Sequence, residues 1–335
     1  MFNTPFLLIA IILVALVFDF TNGAHDSGNA IATVVSTRVL SPVVAVIMAA
    51  SLNLVGAILG QEVALTIGKS IVNPDAVIGC RALVLAALFG AIGWNILTWC
   101  FGLPSSSSHA LIGGLCGAAM AWGGWNTVNY ISVAKKVIIP LVVSPLSGFL
   151  GGYFLMVLLA WICRRVRPRP ADRLFRKLQI LTSALMATGH GLNDAQKTMG
   201  LITLALFTFH KLPAVEVPLW VKIVCALTMA GGTASGGWKI IKTMGQKIFK
   251  IEAIHGFAAT TSTALVLSTA SFFGAPISTT HVFSSSILGV GASKRFSAVR
   301  WGVAGNMIIA WVLTLPASAL MGALFIFLLK LVGAA

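Results

Sequence analysis

Asn22-Gly23-Ala24-His25-Asp26-Ser27-Gly28-Asn29 and Gly189-His190-Gly191-Leu192-Asn193-Asp194-Ala195-Gln196-Lys197 are two copies of one polar pattern in an otherwise apolar chain. Each copy has a companion further on. The first is followed by Gly102-Leu103-Pro104-Ser105-Ser106-Ser107-Ser108-His109, the second by Gly274-Ala275-Pro276-Ile277-Ser278-Thr279-Thr280-His281. Asp26 and Asp194 are 168 residues apart, and His109 and His281 are 172 apart. A polar motif duplicated at matching offsets predicts one binding site assembled from two related halves.

The surroundings of the motifs place the chain in a bilayer. Hydrophobic residues make up 58% of the 335, and charged residues only 9%, against roughly a quarter in soluble domains. Apolar runs of bilayer-spanning length recur throughout. The formal net charge of +15 would suggest nucleic acid in a soluble protein. Here the basic residues lie mainly between apolar runs, so the positive-inside rule explains them and no nucleic-acid partner is expected. Cys80, Cys100, Cys116, Cys163 and Cys225 are scattered without CxxC spacing, which fits neither a disulfide framework nor a metal site. Met1 to Ala24 has no basic leading region and reads as the first span, not as a cleaved signal.

Loop charge sets the expected topology. Arg164, Arg165, Arg167, Arg169, Arg173, Arg176 and Lys177 crowd one mid-chain segment. That segment is read as a cytoplasmic linker over 164–177, in which Pro168 and Pro170 oppose a continuous helix. Five apolar runs precede it (4–21, 40–60, 82–102, 106–122, 137–163) and five follow (178–209, 216–235, 253–273, 277–292, 301–329). With both termini outside, Arg38, the linker and most later basic residues fall inside, while Lys135 and Lys136 are the exception. An odd number of crossings per half makes the second half start from the opposite side. The expected fold is therefore an all-α polytopic membrane protein of about ten segments. It comprises two inverted-topology repeats, 1–163 and 178–335, with broken or re-entrant helices. The Gly-rich stretches at 22–30 and 189–200 are the expected breaks.

The residue types divide each motif in two. A carboxylate in mid-bilayer costs on the order of 2.5–3.5 kcal/mol, so Asp26 and Asp194 are expected to be functional or paired. Asp26 and Asn29 are spaced i, i+3, as are Asp194 and Lys197, so each pair shares a helix face if the segment is helical. The Pro-led runs Ser105, Ser106, Ser107 and Ser278, Thr279, Thr280 suit the first turns of helices, whose free N–H groups favour an oxyanion. Two such ends would form a cradle for a tetrahedral anion, with Asn29, Asn193 and Lys197 at its edge. The carboxylates imply a cation or proton travelling with the anion. His109 and His281 are read as a proton relay or as packing residues. An acceptor in the cradle favours phosphate, which carries a proton near neutral pH, over sulfate, which does not. A serine hydrolase is disfavoured because neighbouring Ser and His on a helix face apart, and a single dyad leaves the second copy without a role. A passive anion channel remains the other class.

The motif pair resembles the inorganic phosphate transporter family. Its signature G-A-N-D-x-x-N-A is similar to Gly23 to Ala30, and Gly191 to Lys197 matches as the second copy. The stretches Gly102 to His109, Lys242-Thr243-Met244-Gly245 and Ala275 to His281 are also family-like. The resemblance spans nearly the whole chain. It implies an ion-coupled phosphate symporter of inverted repeats in the cell membrane, with no enzymatic activity and no cofactor besides its coupling ion. Inorganic phosphate and the lipid bilayer are the expected partners, and a homodimer is left open. Two departures stand out. His25 replaces the first signature Asn. Sodium-coupled members tend to carry acidic residues in the spans holding Asn53 and Thr260, both uncharged here. The expectation is proton coupling, with a neutral metal-phosphate complex among the substrates it would suit; sodium at Asp26 and Asp194 is the alternative coupling ion, and sulfate the alternative substrate.

Overall fold

Among the described residues each of the ten apolar runs holds a helix. The computed structural model describes residues 4–59, 80, 82–209, 211–212, 216–272 and 277–333, and no strand occurs among them. Gly274, Ala275 and Pro276 of the second hydroxyl motif lie outside the described residues. The main helices are α1 (Thr4–Ser36), α2 (Pro42–Leu59), α3 (Leu83–Phe101), α4 (Ser107–Gly123), α5 (Ile139–Cys163) and α6 (Pro168–Thr208). After them come α7 (Leu219–Ser235), α8 (Trp238–Lys242), α9 (Ala253–Phe272), α10 (Thr279–Lys294) and α11 (Trp301–Leu331).

Five of these, α1, α2, α3, α5 and α11, are long and apolar enough to cross a bilayer. A sixth crossing arises if Leu219–Ser235 and Trp238–Lys247, bent by 56° at the break between them, form one span. Helices α4 and α10 have 17 and 16 residues, fewer than the ~20 of a full crossing. Both are buried along most of their length. By contrast α5 turns Val142, Leu146, Leu150, Phe154, Leu158 and Trp161 outward, an apolar stripe suited to lipid.

The expected helix breaks are absent. Helix α1 runs unbroken through Gly23 and Gly28, and α6 through Gly189, Gly191 and Gly200. Within a packed bundle two of these glycines let backbones approach instead. A Cβ on Gly23 would strike the backbone of Met229 on α7, and one on Gly191 the backbone of Asn53 on α2. The break lies between α7 and α8, where Gly236 takes a left-handed φ of 71° that a side chain resists.

The basic segment also departs from expectation. Only its first residues form a turn; α6 starts at Pro168 and carries Arg169 to Lys177 in its opening turns. Prolines at the first positions of a helix lose no hydrogen bond, because those N–H groups have no intrahelical partner.

Packing crosses between the halves. Helix α4 lies on α11 and α10 on α5, while α1 lies on α7 and α2 on α6. Glycines mark both kinds of crossing: Gly148 and Gly152 of α5 meet Val282 and Ser286 of α10, and Gly113 and Gly117 of α4 meet Leu315 and Ala319 of α11. Helices α1 and α6 touch each other at the centre. The two polar motifs are thereby brought face to face.

Candidate functional site

Helical continuity through the motifs gives each a polar stripe. On α1 it consists of Asn22, Asp26 and Asn29, on α6 of His190, Asp194 and Lys197, all at i, i+3 or i+4 spacing. The hydroxyl runs start α4 and α10. Ser106 caps α4 by accepting from the N–H of His109 at 3.3 Å, and Ser278 caps α10 by accepting from the N–H of His281 at 3.3 Å. The next two hydroxyls of each run are then turned toward the stripes.

Their bonding repeats between the halves. Ser107 Oγ lies 3.2 Å from Asp26 Oδ2, and Thr279 Oγ1 lies 3.4 Å from Asp194 Oδ2. Both contacts stay within a half. Across the halves, Asn29 Nδ2 donates to Thr280 Oγ1 at 3.0 Å, and Lys197 Nζ donates to Ser108 Oγ. Thr280 in turn donates to Asp26 Oδ1 at 3.0 Å. Lys197 also pairs with Asp194 on its own helix.

Two histidines lie against the carboxylates. His25 Nδ1 is 3.1 Å from Asp26, and its Nε2 is 3.2 Å from Thr98 Oγ1. His190 Nε2 sits 3.0 Å from Asp194 Oδ2 and 3.9 Å from Asp26 Oδ2, while its Nδ1 faces Asn53 Oδ1 at 3.2 Å. One ligand atom from each of Asp26, His190 and Asp194 lies within 4.8 Å of the others, a set able to hold a cation. All three side chains are 1–2% exposed. Charges so buried need partners, and each carboxylate here has basic and hydroxyl ones.

Most of the residues expected in the site are brought together: Asp26, Asn29, Ser107, Asp194, Lys197, Thr279 and Thr280 form one network. Ser106 and Ser278 are spent on capping. Ser105 bonds Thr98 Oγ1 at 3.0 Å, at the back of His25. Asn193 turns away from the network and donates to the carbonyl of Gly189 at 2.8 Å. His109 and His281 face each other at 5.1 Å between ring centres, with His281 also against Trp311. Neither is hydrogen-bonded to an aspartate.

Sequence reasoning gave no site role to His190, Asn22 and Ser108, or to His25, which it noted only as a departure from the signature. Two of these were signalled. His190 precedes Asp194 by one helical turn, and the offset that aligns His109 with His281 also aligns Ser108 with Thr280. Asn22 accepts from Ser107 at 2.6 Å; it aligns with His190, so one position has diverged between the copies.

Residues 22–322, from the first Asn of the α1 stripe to the glycine of α11 that packs on α4, match the model of a phosphate transporter family. The chain belongs to the phosphate transporter family. A "probable low-affinity inorganic phosphate transporter" of Bacillus subtilis (strain 168) is 48% identical over 327 residues, 97% of this chain and 98% of that one. A protein of the same description from Rhizobium meliloti (strain 1021) is 48% identical over 328 residues, 97% of each. The solved structure of "the sodium-dependent phosphate transporter" superposes with a TM-score of 0.86 at 25% identity. The match covers 97% of this chain and 99% of that one. These phosphate transporter relatives are transporters, not enzymes, and none of their descriptions names sulfate. The stripes and hydroxyl runs lie within the family match, and with the apolar helices they mark a multi-pass membrane protein.

Proposed function

We propose that the chain imports inorganic phosphate across the cell membrane by cation-coupled symport, at a site between the starts of α4 and α10. The observation that carries this reading is the crossed bonding of the motifs: each aspartate takes a hydroxyl from its own half, while Asn29 and Lys197 reach a hydroxyl of the other. A tetrahedral anion entering that network would accept from Ser107, Ser108, Thr279 and Thr280 and from Lys197. The proton on phosphate would be donated to Asp26 or Asp194. Sulfate has no proton to donate and would set its charge against theirs.

Residues 1–163 and 178–335 act as two inverted repeats joined through 164–177, with both termini outside. Alternating access follows from the halves rocking about the shared site. Such a motion would move the start of α4 relative to the α6 stripe and the start of α10 relative to the α1 stripe.

The coupling ion in this reading is a proton. Asn53 and Thr260 are uncharged, and their polar atoms are engaged: Asn53 bonds Thr233 at 2.7 Å, and Thr260 bonds Thr182 at 2.7 Å. Asp26 and Asp194, with His109 and His281 behind the hydroxyl starts, are the groups assigned to the coupling charge. Purified protein in vesicles should take up labelled phosphate faster under an inward proton gradient than under an inward sodium gradient, and excess sulfate should not compete. Uptake driven by sodium alone would overturn the coupling, and competition by sulfate the substrate.

A further inference from the structure

Asp19 lies on α1, seven residues before Asp26, two helical turns or roughly 10 Å along the axis. Its side chain is fully buried. One oxygen accepts from Thr198 Oγ1 on α6 at 2.9 Å, and the other has no hydrogen-bond partner. Ala15, Phe18, Ala195, Met199 and Ile202, beside it on α1 and α6, are buried apolar residues of one cluster. The titratable groups acting on it are Asp194 on α6 and Cys225 on α7; the next along these helices are His25 and Asp26 on α1, His190 and Lys197 on α6 and Lys222 on α7. Helix α2 carries none, α3 only the exposed Cys100, and Lys239 and Lys242 of α8 are exposed. Among the described residues no cationic group is paired with Asp19. It thus differs from Asp26 and Asp194, which both have basic partners. The position has no acidic counterpart in the second half, where the 168-residue offset falls on Ala187.

We infer that Asp19 is a further carboxyl through which the coupling proton passes, a protonation site separate from the phosphate cradle and additional to the groups that hold the coupling charge there; this rests on the phosphate symport reading. An unpaired carboxylate in apolar packing is costly, whereas the neutral acid is not. A proton taken from hydronium onto the free oxygen leaves water and a neutral side chain, and its release to water on the other side restores the carboxylate. The step needs no other reactant. A hard cation takes about six or more oxygen ligands, and the three side-chain oxygens of Asp19 and Thr198 fall far short. Thr198 follows Lys197 directly, so the charge on Asp19 acts on the helix that holds the cradle's lysine.

The test is reconstitution of the full chain with a pH-sensitive dye in the vesicle lumen. Wild type should acidify the lumen as phosphate enters. Asp19→Asn should keep the exchange of internal for external labelled phosphate while losing both proton-driven accumulation and acidification. Undiminished acidification in Asp19→Asn overturns the inference. Sodium-driven wild-type uptake without acidification overturns it too, but leaves the phosphate reading standing; a wild type that moves no phosphate removes both. Should Asp19→Asn not reach the membrane, Thr198→Val decides. The Thr198 hydroxyl donates to the charged form, so its loss should move the pH midpoint of proton-driven uptake upward with exchange unchanged. An unmoved midpoint contradicts the inference.

Discussion

Asp26, in the middle of α1, accepts a hydrogen bond at 3.0 Å from the hydroxyl of Thr280, 254 residues later at the start of α10. The same hydroxyl accepts from Asn29, one turn beyond Asp26. One threonine of the second half therefore holds two residues of the first half's stripe. The site cannot be built from either half alone.

Thr280→Val keeps the shape and removes both bonds. Hydrogen bonds to charged groups contribute about 1.5–3 kcal/mol, so the rate of labelled phosphate uptake should fall roughly 10- to 150-fold. Thr280→Ser should retain most of it. Full uptake by the valine variant would show that the bond to Asp26 plays no part.

Lys197→Met leaves Asp194 buried without its ammonium partner and takes the donor from Ser108. Losing one member of a buried charge pair costs about 2–5 kcal/mol. The concentration dependence of uptake should shift to much higher phosphate, and Lys197→Arg, with its wider planar fork, should not restore it. An unchanged KM in the methionine variant would place Lys197 outside the anion site.

His190→Phe keeps a ring between the two carboxylates and removes both nitrogens. Asp26 and Asp194 then face each other with less compensation, and Asn53 Oδ1 loses its partner. Uptake should fall as far as in the aspartate variants. Near-normal uptake by His190→Phe would reduce His190 to packing.

How much of this was legible in the sequence depends on range. The carboxylate and hydroxyl positions were readable because the duplication fixes them locally: Asp26, Asp194, Ser107, Thr279 and Thr280 all take part in the network. Helix continuity through Gly23 and Gly191 was not readable. Glycine followed by polar residues looks like a break, and only the opposing backbones of Met229 and Asn53 show that the glycines serve close packing. Asp19 was hidden for a related reason. Its partner Thr198 is 179 residues away, and nothing in the local pattern marks the pair. Asn193, expected at the edge of the cradle, instead donates its amide to its own helix, a local bond that the motif does not reveal.

The packing reading separates two neighbouring glycines. Gly191→Val would drive a side chain into the backbone of Asn53, overpacking that typically costs about 1–3 kcal/mol. Its Tm in detergent should fall clearly. Gly189 has nothing within 4 Å of a built Cβ, so Gly189→Ala should be neutral or stabilising by up to about 1 kcal/mol. Equal melting of the two variants would contradict the close α2–α6 crossing.

The most direct measurement is labelled phosphate uptake by wild type, Asp26→Asn and Asp194→Asn, reconstituted at equal protein density. Wild type should accumulate phosphate above its external concentration under a proton gradient, while both variants, present in the membrane at normal level, should take up none. Normal uptake by both variants would contradict a phosphate site shared between the two halves.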